Sequence, residues 1–276
     1  MNFRTDLAVE AAINRSVSAQ DVEQNSRNVG ALTLHTTRIL TPTGEQAIGK
    51  PRGRYITAVL PSLTDHEGDC VTYAAAIGGE LAGMIPPEGT VLVVGLGNRA
   101  VTPDALGPAT ADLVLATRHI GGEFARTAGL NDLRPTAVMA PGVLGQTGTE
   151  SSEAVRGVCR EIRPAAVIAV DALAAADATR LGCTVQMCDS GIAPGSGVGN
   201  DRRPLNREVL GVPVIGIGVP TVVDAVTQGC DTPAMMTPRE IDLLIARAAR
   251  LLACTIHAAL QPAYSPAALM DVARGI

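Results

Sequence analysis

The chain has 276 residues, of which 46% are hydrophobic and only 2% aromatic, and its formal net charge is -5. One large core, or a core with a small appendage, fits this length, and with so few aromatic residues it must be built from Val, Ile, Leu and Ala. That composition favours an α/β fold over an aromatic-rich β-barrel. An acidic chain has no electrostatic reason to bind nucleic acid or an anionic membrane surface, so both are excluded as expected partners.

Charges also interrupt the segments that would be needed for export or membrane insertion. The first ten residues, MNFRTDLAVE, are charged where a signal peptide requires an apolar stretch. Arg247, Arg250 and His257 interrupt the apolar helix predicted over 243–260. The six cysteines form no CxxC pair and are interpreted as reduced thiols rather than disulfides or metal ligands. We therefore expect a soluble cytoplasmic protein.

The predicted elements alternate regularly from residue 91 onward. Before that point the sequence predicts an amphipathic helix over 5–15, a polar linker, a β segment over 31–40, a strand over 53–60 and a helix over 65–85. After it come strand 91–97, helix 103–120, strand 136–140, helix 150–162, strand 165–170, helix 172–181, strand 183–188, a glycine-rich loop over 189–211 and strand 212–220. Alternation of this kind is typical of βαβ units on a parallel sheet.

We predict one α/β domain over residues 1–276. It has an open, parallel-dominated sheet with helices on both faces, and a small N-terminal β subdomain within 31–60. Chemistry in such sheets collects just past the carboxyl ends of the strands. Asp104 follows the apolar strand predicted over 91–97 and Asp171 follows the strand predicted over 165–170, so the two carboxyl groups should face one crevice. Neighbouring carboxylates do not both ionise easily, and such a pair supplies a general base and a general acid.

Other interpretations of these residues stay open. Thr102, Pro103 and Asp104 also suit a helix start, and Asp171 suits a strand-to-helix cap. The run GLGNRA at 95–100 matches a dinucleotide fingerprint, although the predicted helix begins too late for a nucleotide-binding oxidoreductase. Asp104 and Asp171 are also candidate metal ligands, but His119, the nearest nitrogen donor along the chain, lies about 22 Å away along a helix.

Two further segments are candidates for lining the crevice. Asp189-Ser190-Gly191 spells the triplet of pepsin-like proteases, whose aromatic-rich β lobes this composition does not supply, so it is interpreted as a turn. The glycine-rich run over 193–200 follows it and is suited to cradle an anion with its backbone N–H groups.

Six long motifs resemble the germination protease family of spore-forming bacteria. They are FRTDLAVEA, VGLGNRAVTPDALGP, APGVLGQTGTE, IAVDALAA, DSGIAPGSGVGN and LGVPVIGIGVPTVVDAVT, in this order over most of the chain. The resemblance implies an endopeptidase of the spore core that degrades small acid-soluble spore proteins during germination. It implies an atypical aspartic mechanism, with Asp104 and Asp171 as the catalytic residues and no cofactor. It also implies a fold similar to hydrogenase maturation proteases, which bind a metal, so a metal-dependent protease remains the alternative.

The resemblance further implies a homotetrameric zymogen that removes its own N-terminal segment. Thr5-Asp6-Leu7-Ala8 has the form of a family cleavage site, which predicts self-cleavage between Asp6 and Leu7 and a pro-segment over 1–6. This pro-segment is shorter than is usual in the family. The segment between VVDAVT and the C-terminal helix is also reduced, to roughly QGCDTPAM. For the reaction, backbone N–H groups of Gly97–Asn98 or of the 195–199 loop are candidates to stabilise an oxyanion.

Overall fold

The structure is a computed structural model, and it describes residues 5–13, 17–65, 70–121, 127, 130, 132–195, 202–230 and 234–275. The strands are β1 Val22–Val29, β2 Leu32–Ile39, β3 Gly53–Val59, β4 Val91–Gly95, β5 Thr136–Met139, β6 Ala166–Ala175, β7 Thr184–Cys188, β8 Val214–Asp224 and β9 Met235–Met236. The helices are α1 Ala8–Ile13, α2 Pro42–Ile48, α3 Cys70–Ala82, α4 Leu106–Ala111, α5 Leu144–Thr147, α6 Ser151–Ile162, α7 Arg207–Leu210, α8 Ile241–Leu260 and α9 Pro266–Ala273.

All of these strands belong to one mixed sheet. Its order is β1-β2-β3-β7-β8-β6-β4-β5, with β9 paired to β8. The strands β5, β4, β6 and β8 run parallel, whereas β1, β2, β3 and β7 join the sheet through antiparallel pairs. The α/β class is confirmed. The N-terminal strands β1 to β3 extend the central sheet, because β3 pairs with β7.

Helices cover both faces of the parallel half, as predicted. On one face Val93, Ile168 and Ile217 pack with residues of α3 and α8. On the other face Leu92 and Val167 pack with residues of α6 and α7. Strand side chains alternate between the faces, so a strand buried on both sides is apolar throughout. Along α8, 67% of an apolar stretch long enough to cross a membrane is buried inside the protein, which makes it a core helix.

Several predicted elements differ from the structure, and the glycine-rich loop expected over 189–211 contains α7. The helix expected over 172–181 is wrong: β6 continues to Ala175, because its last residues pair with β8, and only a 3-10 turn follows over Ala178–Arg180. The helix expected over 103–120 is reduced to a 3-10 turn over Thr102–Asp104 and to α4. The predicted polar linker contains β1, whose side chains are mostly exposed and which forms only by pairing with β2.

Candidate active site

The sheet order creates a crevice between β4 and β6. From β4 the chain moves outward to β5 and then returns to the opposite side of β4 as β6. The carboxyl ends of strands at such a reversal diverge and leave room for a ligand. Gly95, the last residue of β4, pairs with Val170 of β6. Asp171 is therefore the first residue of β6 beyond the end of β4, although it lies in the middle of its own strand.

Asp171 is held in this position by the sheet itself. It is 4% exposed, and it pairs with Gly218 of β8. One of its carboxylate oxygens, Oδ1, accepts a hydrogen bond of 2.9 Å from the backbone N–H of Ala172. A helix cap at Asp171 is thus wrong, because the residues that follow it are strand. Its carboxyl group is buried in the crevice instead.

Asp104 reaches the same crevice from the turn that follows β4. Its Oδ2 atom accepts a hydrogen bond of 2.8 Å from the backbone N–H of Asn98. Gly97 lies beneath this turn with a φ of 113°, and a Cβ there would overlap the Asp104 carbonyl oxygen and lie 3.1 Å from Oδ1. The glycine of the GLGNRA run is therefore required by the close approach of Asp104. No helix begins within that run, so the dinucleotide interpretation finds no support in the fold.

Both aspartates line one cavity of about 320 Å³, together with Asp6, Arg202 and a set of mainly apolar residues. A second cavity of about 350 Å³ adjoins it and is lined by Lys50, Gln186, Ser190 and Gly191 among others. The residues Asp6, Asp171, Leu173 and Gly195 line both cavities. The predicted meeting of Asp104 and Asp171 is thus what the structure shows.

The surroundings shift the pKa values of the two carboxyl groups to different extents. Burial raises the pKa of Asp171 well above its ordinary value, and the neighbouring carboxylates of Asp104 and Asp6 raise it further. Burial also raises the pKa of Asp104, while the Asn98 N–H and the Arg202 guanidinium act in the opposite direction. Asp171 is the more deeply buried of the two, so we expect it to carry the proton that the pair shares.

The N-terminal segment lies across this site. The backbone N–H of Asp6 donates to the Ala174 carbonyl at 2.8 Å, and the Asp6 carboxylate accepts from the Ala174 N–H at 2.8 Å. The Leu7 side chain is fully buried and packs with Leu173 and Ala175. The Glu10 carboxylate holds the residues that follow β6, because it accepts hydrogen bonds from the backbone N–H groups of Ala176 and Asp177. The segment with the predicted cleavage site is thus docked on the strand that carries Asp171.

Two polar residues that the sequence analysis did not select hold the backbone of this segment. Lys50 donates from Nζ to the Thr5 carbonyl at 3.1 Å, and burial lowers the pKa of Lys50 while Asp6 opposes the shift. Gln186 contacts the Asp6 carbonyl and the Ala8 N–H, each at 2.7 Å. The available signal for Gln186 was a glutamine inside the apolar strand TVQMC, where a buried amide needs partners.

The remaining predicted residues are placed differently. Asp189 accepts from the Arg54 N–H, and the Ser190 hydroxyl lies 2.9 Å from that of Tyr55, so the triplet is the turn that was predicted, at the edge of the second cavity. Cys188 bonds to the Gly191 carbonyl, and the cysteines whose side chains are described form no disulfide. Of the 195–199 loop, residues 196–199 lie outside the described residues. Across the described ranges, no three His, Cys, Asp or Glu side chains form a group able to hold a metal.

Comparisons with known proteins identify the family. The germination protease family model matches residues 5–234. A germination protease of Caldanaerobacter subterraneus is 37% identical, with 95% of each chain covered. The chain belongs to the germination protease family. The germination proteases of Bacillus velezensis and Bacillus subtilis are 44% and 40% identical over 83% of this chain, which spans 66% of their length. A nickel–iron hydrogenase maturation protease of Thermococcus kodakarensis aligns with a TM-score of 0.39 and 20% identity, over 64% of this chain and 98% of that one.

Proposed function

We propose that this germination protease family member is an endopeptidase that begins the degradation of small acid-soluble spore proteins in the spore core during germination. The observation that carries the proposal is that Asp104 and Asp171 line a single cavity. Asp6, the residue before the predicted cleavage point, lines the same cavity. Membership of a peptidase family supports the same activity. The carboxyl pair supports an atypical aspartic mechanism.

The two carboxyl groups divide the work of hydrolysis. Asp104, ionised, takes a proton from a water molecule, whose oxygen then bonds to the carbonyl carbon of the scissile peptide. Asp171, protonated, gives its proton to the departing amine nitrogen as the C–N bond breaks. The raised pKa values of both groups fit these roles, because one must hold its proton at a pH where the other has lost it. The proposed steps use only the two carboxyl groups and a water molecule.

The first substrate in this proposal is the chain's own N-terminal segment. Thr5-Asp6-Leu7-Ala8 is docked beside Asp171, and self-cleavage between Asp6 and Leu7 would release the pro-segment 1–6. Following the family resemblance, we propose that the chain is made as an inactive homotetramer and activated by this cut. Mass spectrometry of the processed chain should show Leu7 as the new N-terminal residue, and any other terminus would reject the site.

The direct test replaces each aspartate by asparagine. We expect the Asp104→Asn and Asp171→Asn variants of the full chain to remain folded and to lose self-cleavage and cleavage of a spore-protein peptide. Asp112→Asn is the matched control, because Asp112 is exposed and pairs only with Arg99 among the ion pairs of the described residues. Near-normal cleavage by either active-site variant would remove that residue from the chemistry.

Chelation separates the aspartic mechanism from the metal-dependent alternative. Under the proposal, wild-type activity survives exhaustive treatment with a chelator. Activity that disappears and returns on addition of a divalent ion would favour a metalloprotease instead. A chain that binds a nicotinamide cofactor and cuts no peptide would favour the oxidoreductase.

A further inference from the structure

A buried glutamine of β7 contacts the peptide bond on which self-cleavage would act. Gln186 is 6% exposed. Its Nε2 atom donates to the carbonyl oxygen of Asp6 at 2.7 Å, and its Oε1 atom accepts from the N–H of Ala8 at 2.7 Å. These bonds hold the backbone on both sides of Leu7, as a paired strand would. The carbonyl oxygen of the Asp6–Leu7 bond therefore already has a side-chain donor.

The sheet register places this amide opposite Asp171. Gly218 of β8 pairs with Asp171 on one side and with Gln186 on the other. Neighbouring strands lie about 4.8 Å apart, so the Cα atoms of Asp171 and Gln186 are about 10 Å apart, and paired residues point to the same face. Gly218 has no side chain, which lets the Asp171 carbonyl and the Leu173 side chain approach β8 closely. All three residues line the same cavity, together with Asp6.

One of the two backbone donors that the sequence suggested beside Asp104 is already used. The N–H of Asn98 is bonded to the Asp104 carboxylate, so it does not point at a substrate carbonyl. We propose that Gln186 is a catalytic residue of the self-cleavage, whose Nε2–H stabilises the negative charge that develops on the Asp6 carbonyl oxygen. The inference rests on the proposed function, because it requires Asp6–Leu7 to be the bond that is cut.

Self-cleavage proceeds through a tetrahedral intermediate. The oxygen of a water molecule bonds to the Asp6 carbonyl carbon, and one proton of that water goes to Asp104. The electron pair of the C=O bond moves onto the carbonyl oxygen that Gln186 contacts. The intermediate then collapses, the C–N bond breaks, and the proton of Asp171 goes to the Leu7 nitrogen. Transfer of one proton from Asp104 to Asp171 restores the pair. Donors aimed at the forming oxyanion are among the largest contributors to such reactions.

The test is the self-cleavage rate of the full-length Gln186→Met variant, which keeps the side-chain length and removes both hydrogen bonds. Loss of one oxyanion donor lowers kcat by about 100- to 1000-fold, and we expect a slowing of at least about 100-fold. Gln261→Met is the matched control. Gln261 is 2% exposed, and its amide likewise accepts from the N–H of Arg134 and donates to the carbonyl of Arg134, each at 2.8 Å. The Gln261→Met variant should lose stability and keep the wild-type rate of self-cleavage.

A second variant separates charge stabilisation from simple docking. Gln186→Glu keeps an acceptor for the Ala8 N–H but loses the donor to the Asp6 carbonyl while its carboxyl group is ionised. Relative to wild type at the same pH, its self-cleavage rate should rise as the pH falls and the introduced carboxyl group gains a proton. Far-ultraviolet circular dichroism at each pH measures the folded fraction of each protein, so that the two rates refer to folded protein. A rate ratio that does not change with pH would contradict the donor role.

The outcomes distinguish this inference from the function on which it rests. If both aspartate variants are inactive and Gln186→Met cuts at the wild-type rate, the inference is overturned and the proposed function stands. Equal slowing of Gln186→Met and Gln261→Met would also overturn it, because the effect would then follow stability. If the aspartate variants cut normally, the proposed function fails and the inference fails with it.

Discussion

Replacement of Gly97 by alanine should disable the site by moving Asp104. The φ of Gly97 is 113°, a conformation that an L-residue adopts only under strain of about 1 to 3 kcal/mol. The new Cβ would overlap the Asp104 carbonyl oxygen, and displacing tightly packed groups costs about 1 to 3 kcal/mol more. We therefore expect the free energy of unfolding to fall by about 2 to 6 kcal/mol. A 1 Å displacement of a catalytic group costs about 100-fold in rate.

Two other glycines separate the two contributions. Gly30 has a φ of 59° and Gly157 has none in the left-handed range, and a Cβ on either would meet nothing within 4 Å. Gly30→Ala should therefore show only the conformational cost, about 1 to 2 kcal/mol, and Gly157→Ala, inside a helix, should stabilise slightly. Urea unfolding and the rate of self-cleavage are measured for all three variants. If Gly97→Ala matches Gly30→Ala in both, the contact with Asp104 is not what requires the glycine.

Three further predictions concern titration and reaction order. Burial lowers the pKa of His257 to about 4, so stability should fall as the pH drops from about 6.5, where the unfolded residue gains a proton, to about 4; urea unfolding of His257→Gln should show a weaker dependence across this window. The raised pKa of Asp171 acts oppositely and reduces stability as the pH rises above its unfolded value, so Asp171→Asn should unfold at higher urea concentration at pH 7, and this gain should vanish near pH 4. Self-cleavage should be first order, with a half-time that does not change on dilution, because the docked segment belongs to the same chain.

The sequence was most informative where an element depends on its own residues. The strands β4 and β6 and the helix α6 are predicted from the sequence because the pattern of apolar residues within each element is sufficient to indicate it. β1 was missed because it has almost no buried side chain and exists only through its pairing with β2. The alanine-rich stretch after Asp171 has high helix propensity, and its pairing with β8 overrides that preference.

The residues of the candidate site also differ in whether the sequence alone predicts them. Asp104 and Asp171 were found from the sequence, because each follows an apolar run and the fold brings the ends of such runs together. Gln186 and Lys50 were not, because their roles depend on the segment 5–8 lying on the sheet, and no local pattern records a contact between residues so far apart.

In β8, Ile215 and Ile217 face the core that contains α3 and α8, and the glycines that alternate with them face the site. A Cβ on Gly218 would overlap the Asp171 carbonyl oxygen, and one on Gly216 would lie 3.1 Å from the carbonyl oxygen of Gly191. Glycine inside a strand marks a place where another backbone approaches closely. The sequence GIG of this strand is therefore explained by the groups that pack against it: the Asp171 carbonyl and the Leu173 side chain at Gly218, and the Gly191 carbonyl and the Cys188 thiol at Gly216.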